Sequence, residues 1–488
     1  MADTKVSALT NLAAPTRDDL LYVVNDPSGV PASRKATLES VITGPSLFVA
    51  ASDATANGIK NADYVCDGVD DQVQIQAAID ALPAAGGVVQ LSGGTFIVDY
   101  AGTFTGDGLV TRYSVVIQTA TAPLWLKGVP GATTIKGRDG AEIGHMVLNR
   151  GTLAARRTNP TYFSGIDFFS NSVSGVALGA MYAYDITVDY CKFRGSNYYN
   201  VHFLAITQGS TFTHNKFVGQ RGMRLENDHH LVSNNRFDAD GGVLEGDRAL
   251  LVLSPDWDQI YGDTRYTHHS SSVIGNTFMG GTIQLQAAGT KACSIAGNTF
   301  ADSAVLYTAE AVLLIQCVPV CDGGGFDSIG NVVIGNTFNN VGYCIHLKGD
   351  GKGVKNSIVA LNTLTHGLDR NLAWGIVEGG GTNADNQILD NNIPNLGGGT
   401  VVATGTRTVI RGNINYVTEN HGAAAAVADG GTIAHGCAAT PTSAQVTGSV
   451  ANEFVSVTGI GAANLTVAIK KHDGTPGTNQ TIYWRAWV

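Results

Sequence analysis

The feature that most limits how this chain can fold is a triplet, Asn-x-Phe, that recurs through its middle. The instances are Asn215-Lys216-Phe217, Asn235-Arg236-Phe237, Asn276-Thr277-Phe278, Asn298-Thr299-Phe300 and Asn336-Thr337-Phe338. Asn362-Thr363-Leu364 and Asn391-Asn392-Ile393 are weaker copies, and Cys191-Lys192-Phe193 is a degenerate earlier one. Taken in order from Cys191, the spacings are about 24, 20, 41, 22, 38, 26 and 29 residues, a short period interrupted by insertions. Asparagine tolerates the left-handed backbone of a sharp turn, and the amides of stacked turns can hydrogen-bond along the pile. The phenylalanine two positions on then points into a core. About 22 residues accommodate three short strands and three turns, which is one coil of a β-helix. The competing architecture, a β-sandwich with coincidental Asn-x-Phe turns, needs hairpin turns about every 8 to 12 residues.

Composition agrees with many tight turns between short strands. Glycine is abundant at 61 residues of 488 while proline is only 13, and this excludes a helical solenoid. With 44% hydrophobic and 14% charged residues, the chain can bury a large core and is too apolar to be disordered. A formal charge of −10 without a basic block argues against nucleic acid and against an anionic membrane surface as partners. No apolar run approaches the ~18 residues of a membrane span, so no membrane insertion is expected. The start, MADTKVSAL, lacks a signal-peptide profile, and folding in the cytoplasm of the producer is expected. The seven cysteines show no zinc spacing and read as reduced core residues, with a Cys317–Cys321 bridge as the alternative. No metal site and no cofactor is expected.

The ends of the chain differ from the middle. Leu20 to Val24 and Arg34 to Leu38 read as two strands around the turn Asn25 to Gly29; so small a module leans on a partner. Ile75, Ala78, Ile79 and Leu82 are apolar at helical spacing behind Asp70-Asp71, with Pro83 stopping them, which predicts one short amphipathic helix. It leads into the strands Gly86 to Leu91 and Thr95 to Val98, as a cap leads into an all-β stack. After about residue 416 the repeat stops. Glu419 to Gly422 and the alanine run Ala423 to Ala426 read as a connector. Phe454 to Val457, Leu465 to Ile469 and Ile482 to Trp487 then read as strands of a small antiparallel sandwich.

Asp70-Asp71-x3-Ile75-Gln76-Ala77-Ala78-Ile79-Asp80, followed by Gly-Gly-Val-Val-Gln-Leu and Gly-Gly-Thr-Phe-Ile-Val, resembles the entry of the pectate-lyase-like β-helix superfamily. The coils between about 160 and 416 resemble its body. The opening, with Leu-Tyr-Val-Val-Asn-Asp-Pro-Ser-Gly, is similar to N-terminal segments of phage tail proteins. Gly431 to Gly436 and the terminal Tyr-Trp-Arg-Ala-Trp resemble C-terminal modules of phage tailspikes. These resemblances imply an all-β chain in three parts. Residues 1–45 would be a virion-attachment-like module, 46–418 a right-handed parallel β-helix with a short N-terminal capping helix, and 419–488 a small C-terminal antiparallel β-sandwich that trimerises. They further imply a tailspike-like polysaccharide depolymerase, a homotrimer carried on a virion and extracellular after release. The superfamily holds hydrolases, lyases, epimerases and non-catalytic binders, so fold alone does not set the reaction. Neither a complete polygalacturonase aspartate constellation nor the Asp-Pro-His run of alginate epimerases is present, and no catalytic residue carries over.

Candidate chemistry therefore comes from strand alternation. Met223 and Leu225 point in and Arg224 and Glu226 out; Ile283 and Leu285 in and Gln284 and Gln286 out; Ile345 and Leu347 in and His346 and Lys348 out. Glycoside hydrolysis uses two carboxyl groups about 5 to 9.5 Å apart, and neighbouring coils lie about 4.8 Å apart. Glu226 and Asp228, with Glu245 and Asp247 on the next coil, are the densest such group. The bland alternative makes Glu245 to Arg248 a solvated acidic turn and Glu226 a partner of Arg224. The insertion Ser254 to Asp263 brings Trp257, Asp258 and Tyr261, aromatic and acidic groups suited to sugar rings, or to packing against a neighbouring subunit. A β-eliminating lyase needs a base and a cation for a uronate, which Arg224, His229, His230, Tyr266, His268 and His269 offer, with a divalent cation such as Ca2+ as the added cofactor of that reading. A non-catalytic glycan-binding spike would use the same stripe without cutting.

Overall fold

The computed structural model describes residues 20–25, 32–37, 45–106, 109–118, 122–140, 143–152, 154–171, 175–196, 198–204, 206–219, 221–239, 249–255, 268–302, 311–317, 325–365, 374–393 and 401–488. From Ser46 to Arg411 the chain winds through three long sheets of ten, twelve and fourteen strands, with a four-stranded sheet beside them. Neighbouring strands are parallel and come from successive coils, apart from the antiparallel pair Gly102–Gly106 and Leu109–Ile117 in the twelve-stranded sheet. This is the coil stack that the Asn-x-Phe spacing predicts.

The triplet does two jobs in the stack. Its asparagines form one buried ladder along the interior of a corner. The Asn215 amide donates to Asn235 Oδ1 at 3.0 Å, and the chain continues through Asn276, Asn298, Asn336, Asn362 and Asn391 to Asn413 at 2.9–3.0 Å. Each amide also donates to a strand carbonyl of the preceding coil, as Asn298 does to Val273 at 2.9 Å. Each carbonyl oxygen also accepts the backbone N–H of the preceding ladder residue, as Asn298 does from Asn276 at 2.9 Å. Cys191 takes the asparagine's place in the degenerate copy, its N–H donating to Asn215 Oδ1 at 2.8 Å.

The left-handed backbone falls one residue earlier than the sequence pattern implied. It is at His214, Asn234, Leu361 and Asp390, and at Gly275, Gly297, Gly335 and Gly412, that φ is positive, between 51° and 70°. The ladder asparagine itself is kept for its side chain, whose two donors and two acceptor sites satisfy the buried corner.

The phenylalanines form the second column. Phe168, Phe193, Phe217, Phe237, Phe278, Phe300 and Phe338 stack nearly parallel with ring centroids 4.7–5.0 Å apart. Phe168 is a copy that lacks the preceding asparagine and is invisible to the motif. All seven are essentially buried, and truncating such a ring costs about 3–5 kcal/mol.

At the entry, the helix Gln72–Asp80 lays Ile75, Ala78 and Ile79 onto the first coils. Buried Asp71 accepts from the backbone of Gly68 at 2.9 Å and Ile97 at 2.7 Å. A second, five-residue helix, Ala56–Lys60, has no periodic signal to announce it. Leu20–Asn25 and Ala32–Thr37 pair as an antiparallel hairpin.

Beyond the stack, the stretch read as a connector is a strand. Glu419–Val427 pairs antiparallel with Gln480–Trp487, which also pairs with Ser443–Gly448. Thr432–Ala434, Asn464–Lys471 and Glu453–Ile460 make the opposing sheet. Tertiary pairing overrides the weak strand propensity of the alanines. The described cysteines are free thiols, Cys437 half-buried and the others buried; burial pushes the Cys191 and Cys293 thiols up to about 12. Cys321 lies outside the described residues. No described helix is long and apolar enough to cross a membrane.

Asn298→Ala should destabilise the protein by about 2–4 kcal/mol, because it leaves the Asn276 amide and the Val273 carbonyl buried without their partner. Guanidinium denaturation reads this as a lower midpoint. An unchanged midpoint would mean that the ladder does not hold the corner.

Candidate active site

The twelve-stranded sheet is the elaborated one. The longer connections, 240–248, 256–267, 303–310, 318–324, 366–373 and 394–400, adjoin its strands in sequence and lie outside the described residues, and long connections are where function concentrates. Val201, Phe203, Met223, Leu225, Leu251 and Leu253 fill the core from this sheet. The alternating outward positions stay in register: Gly179, His202, Arg224, Val252, Gln286, Leu314 and His346 form one column across seven coils.

Ionisable groups gather where this column passes Val201–Leu204 and Met223–Glu226. Arg224 Nη2 lies 2.7 Å from Glu226 Oε1, and His202 Nε2 lies 3.7 Å from the same oxygen. Glu226 is fully buried although it belongs to the outer face, while Arg224 keeps 17% of its side chain exposed. Burying that carboxylate without a counter-charge would cost several kcal/mol, so Arg224 is integral to its position. Tyr198 and Tyr199 flank His202 with ring centroids at 5.4 and 5.9 Å. The Arg221 guanidinium lies 5.3 and 5.4 Å from the two phenol rings. Burial raises the Tyr199 phenol, opposed by Arg224 and Arg221.

Two coils before His202, the His145 ring occupies the space that a side chain at position 179, on the coil between, would need: a Cβ there would collide with His145 Cδ2. Gly179 is thus required by close approach. His145 Nδ1 is 2.9 Å from Thr111 Oγ1, and burial, reinforced by neighbouring His202, pushes the imidazole down to about 3.

Asp228 sits in the turn that follows, between the left-handed residues Asn227 and His229. Its Oδ1 accepts the His269 N–H at 2.9 Å and its Oδ2 the Gln208 amide at 3.3 Å. Burial raises its carboxyl above the usual range, with the His269 hydrogen bond acting against this. The two carboxyl groups are held by different partners, Glu226 by Arg224 and His202 and Asp228 by Gln208 and His269.

The other sequence candidates separate. Glu245, Asp247, Trp257, Asp258, Tyr261 and Tyr266 lie outside the described residues. His346 and Lys348 face outward on Tyr343–Lys348, as expected, but four strand spacings from Arg224, roughly 19 Å. Gln284 is a correction. It is fully buried, donating to the carbonyls of Gly280 at 2.8 Å and Ala301 at 2.7 Å. Both Gln284 and Leu285 give their N–H to Val312 O, an irregular entry to the strand that turns Ile283 to the outer cluster with Tyr199, Val252 and Leu314. His230 and His268 are buried in the corner with rings 5.8 Å apart, His230 Nε2 3.1 Å from the Glu226 carbonyl and His268 Nε2 2.7 Å from Ser271 Oγ. His229 is exposed in a turn, with left-handed backbone and not on a strand, and His269 is half-buried. Among the described residues no three His, Cys, Asp or Glu side chains gather around a metal-sized space. His202, Tyr198, Tyr199, Arg221 and His145 were not singled out in the sequence. The alternation Val201-His202-Phe203 was the available signal, in a coil whose marker, Cys191-Lys192-Phe193, is degenerate.

No known protein family and no curated protein matches this sequence. Among solved structures, the Dettilon tailspike protein superposes with a TM-score of 0.52 at 12% identity, over 92% of this chain and 95% of that one. A Geobacillus virus E2 protein gives 0.48 at 12% identity over 94% and 84% of the two chains. The A-module of a mannuronan C-5 epimerase from Azotobacter vinelandii gives 0.43 at 16% identity over 71% and 96%. The chain thus has the right-handed parallel β-helix fold found in a phage tailspike, and at these identities the likeness is one of fold.

Burial holds His145 near 3 and His230 and His346 near 4, against about 6.5 in an unfolded chain. Between these values only the unfolded chain binds the protons, so the stability tied to neutral histidine is complete above pH ~6.5 and is lost as pH falls toward 4. The melting temperature should be level above about pH 7 and drop progressively from 6.5 to 4.5, with a shallower drop in His230→Asn. A level profile across that window in the parent protein would refute the burial argument.

Proposed function

We propose that this chain is a tailspike-like depolymerase that binds a polysaccharide on the outer face of the twelve-stranded sheet and cleaves it by glycoside hydrolysis. The observation that carries this reading is the contrast between two carboxyl groups two residues apart. Asp228 is raised by burial and suits the proton donor, whereas Glu226, fully buried with the Arg224 guanidinium at 2.7 Å, suits the ionised base. Acid/base cleavage of a glycosidic bond requires one carboxyl group that carries a proton and one that is ionised. Arg221, Tyr198 and Arg224, on the more open side of the cluster, would engage the sugar's hydroxyl or carboxylate groups. Glu245 and Asp247 on the next coil, and Trp257, Asp258 and Tyr261 in the following insertion, remain proposed contributors to the same face. So do His346 and Lys348 farther along it.

A second reading, β-elimination on a uronate-containing glycan, is favoured by the gathering of His202, Tyr198 and Tyr199 with two guanidinium groups. A histidine or tyrosinate base takes the proton α to the carboxylate while the arginines, or an added divalent cation such as Ca2+, neutralise it; the C–O bond at the β carbon breaks as the double bond forms, and the departing glycosidic oxygen takes a proton from a tyrosine or from solvent. In either reading we propose a homotrimer acting outside the cell as part of a virion. Residues 1–45 would attach it to the tail and 419–488 would hold the trimer together. The fold shared with a phage tailspike supports the virion part of that proposal.

The test incubates the purified protein with neutral and acidic bacterial and plant polysaccharides, following reducing ends and the absorbance of unsaturated uronates together. Reducing ends alone are expected, and both signals together would move the chemistry to the His/Tyr/Arg group. Binding with neither signal would make the protein a receptor-binding spike. Asp228→Asn and Glu226→Gln should each lower kcat by about 100-fold or more while the oligomer persists; full activity in both removes the carboxylate mechanism.

A further inference from the structure

We propose that the protein carries a second glycan-binding surface, on the outer face of the fourteen-stranded sheet and centred on Trp125 and Tyr162. This rests on the reading that the chain acts on a polysaccharide, and it adds a non-catalytic contact to that same glycan. The two residues are in register on adjacent strands, Leu124–Lys127 and Thr161–Ser164. Trp125 is 42% and Tyr162 44% exposed, on strands whose alternate residues are buried. Their ring centroids are 6.3 Å apart with planes inclined at 53°, so each offers a face to solvent and the two do not cover each other.

The rings are held in place. Trp125 Nε1 donates to Ser164 Oγ at 2.8 Å. This spends the indole's one polar group on the protein and leaves the ring face as its contact surface. Lys127 Nζ lies 5.1 Å from the same ring. At the corner that follows on later coils, Tyr190 is 60% exposed and stacks on His214 with centroids 4.8 Å apart and planes within 7°. Asp189 Oδ1 fixes that pair, accepting from Thr213 Oγ1 at 2.8 Å and lying 3.1 Å from His214 Nδ1.

The neighbourhood decides what would cover these rings. The column of Trp125 and Tyr162 runs from half-buried Val88 through them to Thr187 and Thr211, and the column beside it reads Gln90, Lys127, Ser164, Asp189 and Thr213. A stable protein interface needs roughly 1,200–2,000 Å² with an apolar, charge-poor centre, and a row of threonines, an ammonium and a carboxylate does not provide one. Isolated ring faces set among hydroxyl, ammonium and carboxylate groups match a sugar chain, whose C–H faces stack on aromatics and whose hydroxyls take the polar groups. One cation and one anion two coils apart in the same column give little net field, so the sugars contacted here are neutral or sparsely charged.

The experiment is affinity gel electrophoresis of the full chain against alginate, polygalacturonate, a 1,3-glucan and a set of bacterial capsular and O-antigen polysaccharides. Light scattering and reducing-end release from short fragments of the retarding glycan are read in parallel. The double variant Trp125→Ala/Tyr162→Ala should bind the retarding glycan about tenfold more weakly, with oligomeric mass and turnover of short fragments unchanged. Trp125→Tyr, which keeps an aromatic face, should recover part of the binding, as a folding defect would not. Unchanged retardation of the double variant overturns the proposal. So does a fall in oligomeric mass, which would make this face a contact between copies, and so does a parent protein retarded by none of the probes. If Arg224→Ala abolishes retardation while the double variant does not, the polysaccharide reading survives and the second surface falls.

Discussion

The ladder of asparagine amides at one corner is the interaction on which the rest of the stack depends. A sharp corner buries backbone N–H and C=O groups that neither adjoining strand can pair, and an unpaired group there costs about 1–3 kcal/mol. Each ladder asparagine answers with two donors and two acceptor sites, all used from Asn235 to Asn391, where each oxygen accepts both the backbone N–H and the amide of the preceding asparagine. Because the bonds run from one coil to the next, they also forbid slippage. A coil out of register by one residue would present the wrong face of every strand it carries. The phenylalanine stack follows from that register, and so do the outward columns on which any chemistry must be built.

The same constraint explains where the chain varies. Insertions are excluded from the ladder corner, where the distance from asparagine to phenylalanine is invariant from Asn215 to Phe338. The longer connections instead lie next to strands of the twelve-stranded sheet in sequence. Spacings of 41 and 38 residues between ladder asparagines are therefore compatible with unbroken bonds of 3.0 Å. A coil's length and a coil's register are set in different places.

This division decides what could be read from the sequence. The fold was legible because its two repeating residues are interior and answer only to each other. The face of Arg224 and Glu226 was legible because Met223 and Leu225 mark their strand as alternating. What could not be read was how outward residues of different coils come together. His202 meets Glu226 only through the pairing of Val201–Leu204 with Met223–Glu226, and the coil that carries His202 has cysteine where the marker asparagine should be. Gln284 fails for a local reason, since two successive N–H groups share Val312 O and the strand enters out of phase. The alanine strand Glu419–Val427 fails for a global one, because only its partner Gln480–Trp487 makes it a strand.

A scaffold of this kind separates the problem of folding from the problem of chemistry. Outward groups on neighbouring coils are about 4.8 Å apart, and groups two residues apart on a strand about 7 Å. The carboxyl separations that sugar chemistry uses are therefore available by choosing outward residues, with no change to the core. The environments of those groups can then be set independently, as with Glu226 beside a guanidinium and Asp228 raised by burial in the next turn. The fourteen-stranded sheet shows the complementary case. Its Trp125 and Tyr162 stand on strands whose inner residues, Leu124, Leu126 and Phe163, pack as they do elsewhere in the stack. Exposing large rings there costs the fold little, so their presence is better explained by what they touch outside the protein than by what they hold within it.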